Sequence, residues 1–372
     1  MKFITNTKPL VDAINLGVVN SNVSKYNSRT CTAQITANAS ELVINLESES
    51  VYTEIHLPGS GDENEQVVSF VSNTLLKSLV GTFESSTTTF EFVEGGIVLH
   101  SGKSRFTLPE ISSEADMSLR KPDYANNLES SVFDVKKDNW SFIKNNQTFA
   151  ISMSYVSPIY TYVWVGANGD VLTGDNDNGI FTHSMKNPLS SQCLVQESVV
   201  NFFDSLPEGA ECTNCGDFYI VSIKTDGYQL YSEIVPIKED DDHQYNSDII
   251  LGLFNKPDYH ITIDPNTAYK ILSQAELLSS AVNSEDGRIH VKLENDLLSF
   301  RDSNVDASVK VAYNSDEKCN DFELDFYIKS IKSIVSKFTG ESVSIAPTYL
   351  EGEVTGILIW DDDLECVLAG AE

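Results

Sequence analysis

The sequence predicts an α+β fold made of three repeats, each with two helices set among antiparallel strands. Three observations predict it. A strand-then-helix start recurs at a fixed interval of 129 residues, through Phe3, Val132 and Ile261, through Val11, Trp140 and Tyr269, and through Ile14, Ile143 and Leu272. A second apolar helix pattern recurs after 127 and then 128 residues, matching Leu76, Phe203 and Ile331, and again Leu79, Leu206 and Ile334. Between the helices, apolar and polar residues alternate with the period of two that marks half-buried strands.

The first repeat, residues 1–120, opens with the strand KFIT and a helix over 8–20, with Thr7 as its cap and Pro9 in its first turn. TCTAQITA, ELVINLES and VYTEIHL alternate as three strands, and VVSFVS leads into a helix over 73–83. TTTFEFVE, IVLHSG and SRFTLPEI close the repeat, with a hairpin turn at Gly95-Gly96. The order is strand, helix, three strands, strand, helix, three strands. The second repeat, 128–245, reads as the strand SVFDV, a helix over 136–149, a hairpin about Asn168-Gly169, QCLV leading into a helix over 196–206 stopped by Pro207 and Gly209, and a hairpin turning at Asp226-Gly227. The third, 258–372, has helices over 265–282, capped by Asp264, and 327–339, with a hairpin about Asn295-Asp296. Linkers are expected at 113–127 and 239–257, the second holding the acidic run Glu239 to Asp242, which reads as solvated chain.

The 372 residues carry 25 basic and 55 acidic side chains, a net charge of −30 that would repel nucleic acid if spread evenly. It is not spread evenly. The six predicted helices hold nine lysines (Lys8, Lys77, Lys136, Lys137, Lys144, Lys270, Lys329, Lys332 and Lys337) against the five acids Asp12, Asp138, Glu197, Asp204 and Glu276. In the last helix Tyr327, Ile331, Ile334, Val335 and Phe338 form an apolar stripe, and Lys329 and Lys332 lie off it. Asn139, Asn145, Asn146 and Gln147 are expected to leave their helix surface polar rather than acidic. Such a cationic helical face would hold a phosphate backbone without reading bases. Lysines that merely decorate solvent-facing helices would give the same pattern, since lysine is a good helix former.

No catalytic or metal constellation stands out. The sequence lacks a P-loop, HExxH or GxSxG pattern, and its six histidines pair with no nucleophile. Of six cysteines only Cys212 and Cys215 form a CxxC pair, with no second pair or nearby histidine to complete a zinc site, so the thiols read as cytosolic. An apolar run of about 18 residues, the length of a membrane span, is missing, and the start lacks the apolar stretch of a signal peptide. An enzyme is therefore not expected, nor a cofactor, and a cytoplasmic location is.

The residues resemble a known family, the bacterial-type DNA polymerase sliding clamp, the beta subunit of the replicative polymerase. The opening MKF before a helix is similar, and Val98 to Leu108, VLHSGKSRFTL, resembles the family's V-x-SG-[RK]-SRF-x-L strand pair. Asp175 stands in VLTGDNDNGI where the family has V-A-T-D-G-H-R-L, and Asp226-Gly227 with Ile234-Val235-Pro236 is similar to its D-G…V-L-P stretch. The resemblance spans all three repeats. It implies clamp domains of two helices packed on two antiparallel sheets, closing head to tail into a homodimeric ring with the helices facing duplex DNA. It implies DNA polymerase and an ATP-driven clamp loader as partners, and no bond made or broken.

Residue by residue, the resemblance implies a subunit interface that uses Phe106 and Leu108 against Leu277 and Leu278. It implies a groove for short apolar partner peptides near Tyr160, Gly174, Asn178, Ile180, Ile234, Val367 and Ala369. Two segments depart from the family: G-H-R-L becomes Asn176 to Ile180, and the M-P-x-R-L tail becomes Ala369-Gly370-Ala371-Glu372. Such divergence would suit a phage-encoded clamp with its own partners. The alternatives are an acidic viral structural or interaction protein of repeated sheets, and a clamp-like factor acting in transcription.

Overall fold

The computed structural model describes residues 1–17, 32–47, 51–111, 132–133, 135–152, 158–189, 192–215, 217–237, 244–281, 287–314, 321–350 and 352–371. The linker expected at 113–127 and the acidic run lie outside these residues, as do Cys31, Cys319 and His243. Each repeat has the order predicted for the first, strand, helix, three strands, strand, helix, three strands; the second and third hold strands beyond their predicted hairpins, Ile180–Ser184, Glu211–Asn214 and Asp306–Lys310, and the third adds the two-residue strand Ala312–Tyr313. The paired helices are α1 (Thr7–Gly17) and α2 (Asn73–Val80), α3 (Lys137–Asn146) and α4 (Glu197–Ser205). A short helix α5 (Ser247–Gly252) follows where a linker was expected, and then α6 (Pro265–Ala281) and α7 (Ile328–Val335).

Local chemistry explains the boundaries. Ser72 caps α2, its Oγ accepting from the Leu75 amide at 3.3 Å. Asp264 caps α6 as predicted: its Oδ1 accepts from the Asn266 amide at 2.9 Å and its Oδ2 from the Thr267 hydroxyl at 2.5 Å. Pro265 takes the first helical position, where no amide donor is needed. Thr7 does not cap α1 but begins it, its buried hydroxyl sharing a hydrogen bond with Thr88 at 2.9 Å. Both central residues of the Asn295-Asp296 turn have positive φ, as a tight two-residue hairpin requires.

The chain forms two compact units, Met1–Trp140 with Ser198–Ile237, and Ser141–Glu197 with Lys238–Glu372, so the middle repeat is divided between them. The first unit holds a 12-stranded antiparallel sheet. In it Val51–Gly61 of the first repeat pairs with Gln229–Ile234 of the middle one, from Val51 opposite Ile234 to His56 opposite Gln229. The second unit holds a nine-stranded and a four-stranded sheet. There Ile180–Ser184 of the middle repeat pairs with Glu365–Ala369 of the third, Ile180 opposite Leu368 and His183 opposite Glu365. Each join thus covers an otherwise open strand edge with the edge of the next repeat.

The equivalent helix positions Ile14, Ile143 and Leu272 are all buried, and so are Leu76, Phe203 and Ile331. In the second unit one apolar cluster includes Leu272 and Ala275 of α6, Ile331 and Ile334 of α7, Ile289 and Phe326 of the four-stranded sheet, and Ile345 and Ile359 of the nine-stranded sheet. In the first unit Trp140 lies flat on Phe203 at 4.4 Å between ring centroids. No helix among the described residues is long and apolar enough to cross a membrane.

Candidate nucleic-acid interface and partner groove

The lysines fall into two groups. Lys8, Lys136, Lys270 and Lys329 are exposed, and Lys77 and Lys144 are half-buried. Lys137, Lys332 and Lys337 are tied down. The Lys137 ammonium donates to the Leu206 carbonyl, just past the end of α4, at 2.8 Å, where a cation meets the negative end of the helix. Lys332 of α7 reaches Glu276 of α6 at 2.6 Å and lies over the Tyr269 ring, and its hydrogen bond to Glu276 holds its pKa up. Lys337 donates to the Asn145 carbonyl at 2.7 Å and covers the Phe149 ring, and burial pushes its pKa down.

The charge segregation is weaker than the sequence suggests. Lys136 precedes α3 and Lys337 follows α7, which ends at Val335. The seven described helices hold seven lysines against six acids, Asp248 of α5 included. Gln147 is not part of a polar helix surface. It is fully buried, donating to the Val171 carbonyl and the Thr182 hydroxyl at 3.2 and 3.1 Å and accepting from Ser184 at 2.9 Å. This network supports the hairpin Val171–Asp175 and Ile180–Ser184 from below.

The hairpin turn is organised by Asp175. Its carboxylate accepts from the Asp177 and Asn178 amides at 3.2 and 3.3 Å and from the Asn178 side chain at 2.6 Å. Gly179 has a φ of 60°, and a Cβ there would stand 2.7 Å from the Ala369 Cβ, so the turn and the last strand approach as only glycine allows. The Ala369 amide donates to the Gly179 carbonyl at 2.9 Å. Gly174 leaves room for Tyr160 and Phe181, which meet edge to face at 5.8 Å.

The structure sorts the sequence-predicted groove residues by burial. Tyr160 is half-buried, and Asn178 and Ala369 are exposed. Gly174, Ile180 and Val367 are buried, so Gly174 and Val367 serve as floor and Ile180 belongs to the apolar core of the unit. Ile234 belongs to the first unit, where it is buried opposite Val51. Of the interface candidates, Leu108 is fully buried in its own unit rather than presented to a partner. Phe106 is half-buried, stacked on Phe83 at 5.6 Å, while Leu277 is 72% and Leu278 43% exposed.

Sequence reasoning read 239–257 as linker and so missed the structure of its described part, which continues with 258–260 into the third repeat. The segment 244–260 is a strap across the nine-stranded sheet: Tyr245 meets Tyr160 at 5.4 Å, Phe254 meets His183 at 5.3 Å and His260 meets Trp360 at 4.8 Å. Lys256 pairs with Glu365 at 2.6 Å. Its aromatic spacing, Tyr245, Phe254, Tyr259, was the available signal. The strap leaves Ile249 of α5 73% exposed on its outer side. Burial pushes the Cys212 thiol up to about 12, away from the lowered range of a redox thiol.

Neither a protein-family model nor a curated protein matches the sequence. Solved structures do, over the whole chain. The DNA polymerase III beta subunit from Thermotoga maritima superposes with a TM-score of 0.74 at 10% identity, covering 100% of this chain and 99% of that one. The C. crescentus beta sliding clamp gives 0.72 at 15% identity, with the same coverage. The beta chain of DNA polymerase III from Streptococcus pneumoniae gives 0.70 at 15%, again over 100% and 99%. From its first repeat to its last, this chain has the fold of the bacterial DNA polymerase III beta subunits.

Proposed function

We propose that the protein is a DNA sliding clamp, a processivity factor that encircles duplex DNA without reading its sequence and tethers a replicative polymerase. The observation that carries this reading is the full-length likeness of fold to bacterial beta subunits, with TM-scores of 0.70 to 0.74 in the three structures above. The repeats 1–120, 128–245 and 258–372 are its three clamp domains, and its role involves no catalysis. Tethering raises the effective concentration of the polymerase at the primer end.

Ring closure follows the logic of the internal joins. Ser104–Pro109 ends the 12-stranded sheet of the first unit, and Asp306–Lys310 ends the four-stranded sheet of the second. Two chains that pair these edges head to tail make a third join of the same kind, twice, and close a homodimeric ring of six domains. Leu277 and Leu278 on α6, which packs beside Asp306–Lys310, are exposed apolar residues suited to cover that contact, with Phe106 opposite them. An ATP-driven loader would open the ring. Lys8, Lys136, Lys270 and Lys329 are the phosphate contacts in this reading, with Lys77 and Lys144 beside them. Lys137, Lys332 and Lys337 act mainly in holding helices together. The groove about Tyr160, Gly174, Asn178 and Ala369 takes the partner peptide.

Topological trapping tests the proposal. The protein should be retained on nicked circular DNA and lost on linearisation, and equal retention on both would sink it. Replacing Lys8, Lys136, Lys270 and Lys329 with Glu should weaken retention at least tenfold and flatten its salt dependence, with the thermal transition unchanged.

A further inference from the structure

We propose that His183 is a protonation-controlled clasp between the second and third repeats. As an imidazolium it bridges the hairpin of one to the last strand of the other, and as a neutral imidazole it holds only one side. Its Nδ1 lies 2.8 Å from Glu365 Oε2 and its Nε2 2.8 Å from Asp170 Oδ1. A neutral ring has one N–H and one lone pair, so one of the two carboxylates would face a lone pair at hydrogen-bond distance. Only the doubly protonated ring donates to both.

The surroundings leave few other ways to satisfy these groups. Asp170 is buried, and the His183 and Glu365 side chains are only 12% and 16% exposed. From the strap, Phe254 covers the ring and Lys256 occupies the other Glu365 oxygen at 2.6 Å. On the neighbouring strand the residue opposite His183 is Leu172, and opposite Glu365 it is Trp360, so neither offers another charge. Beyond the clasp, Lys186 and Asp363 pair across the same join at 2.5 Å. Beside the first join His56 also lies between two carboxylates, Glu41 at 3.0 Å and Glu54 at 2.6 Å, but both belong to its own repeat, and across the join it faces Gln229.

Burial alone would lower the His183 pKa, but the hydrogen bonds to Glu365 and Asp170 outweigh it and raise it above the ordinary 6.5. The sign follows. The clasp contributes in full below about pH 6.5 and is lost as pH rises through the higher folded value. Burial pushes Glu365 up, yet His183 and Lys256 together hold it below its ordinary 4.5, so its contribution is present above that value and lost in stronger acid. The join is therefore tightest in mildly acidic solution and loosens toward alkaline pH. Phe181 and Val367 lie on the same sheet face as His183 and Glu365, so the loosening reaches the candidate groove.

Hydrogen exchange of the full chain tests this. After correction for intrinsic rates, amides of 180–184 and 365–369 should lose protection between pH 6 and pH 8.5, by up to roughly tenfold per unit separating the folded and unfolded pKa values. His183→Gln, which cannot titrate, should abolish that step, and its persistence at full size in the variant would overturn the clasp. Imidazole NMR of the unmodified chain gives a second measurement that needs no variant. A His183 titration midpoint above 6.5 supports the clasp, and one at or below it overturns it.

Discussion

At the first join between repeats, Val51–Gly61 meets Gln229–Ile234 over six residue pairs; at the second, Ile180–Ser184 meets Glu365–Ala369 over four. The longer join has a hydroxyl and apolar centre. Ile55 and Leu230 face each other fully buried, and Thr53 and Ser232 share a buried hydrogen bond at 2.7 Å. The longer join also buries Glu54 and Glu233, opposite Tyr231 and Tyr52, whereas the shorter one sets opposite charges across it: His183 with two carboxylates and Lys256 on Glu365, beneath the aromatic strap. The histidines differ accordingly. Glu41, beside His56, is 41% exposed and can turn to water, whereas the partners of His183 cannot. A strand edge alone offers many registers, and each join selects one by a different means, side-chain shape at the first and charge placement at the second.

Three substitutions sharpen this contrast. The largest effect is expected from Leu230→Ala. It removes a fully buried side chain and should cost about 2–5 kcal/mol, read as a lower urea midpoint for peptides of the first unit in exchange-detected unfolding. Next comes Glu365→Ala, which deprives both His183 and Lys256 of a partner and should cost the second unit about 1–3 kcal/mol at pH 6. That cost should shrink as pH rises toward 8.5 and His183 loses its proton; a loss of equal size at both pH values would mean that charge does not hold the join. The smallest effect belongs to the double change Thr53→Val with Ser232→Ala. Removing both partners of a hydrogen bond leaves neither unsatisfied, so stability should move by less than about 1 kcal/mol, while Ser232→Ala alone should cost more.

The candidate site was legible in the sequence only in part. The hairpin about Asn168-Gly169 was legible, because turn chemistry is local, whereas the second turn at 176–179 and the pairing of Ile180–Ser184 with the last strand came only from the structure. The orientation of Ile180 and Leu108 was not legible. A strand residue faces core or solvent according to what its sheet packs on, and period-two alternation names two faces without saying which is covered. The lysines were harder still. Lys332 and Lys329 look alike three residues apart, yet Glu276, 56 positions earlier, holds one and not the other.

Local sequence determined the strand-then-helix start of all three repeats, the helix cap at Asp264 and the Asn295-Asp296 turn, since each depends on residues within a few positions. The threefold spacing of apolar residues likewise determined that one unit is built three times. Tertiary structure alone decided that the middle repeat is shared between two compact units, that the described part of the expected linker, 244–257, is a strap, and that His183 meets Glu365 across 182 positions. Those outcomes rest on contacts between distant segments, where the gain from burying a ring or pairing a charge depends on which strand edges meet.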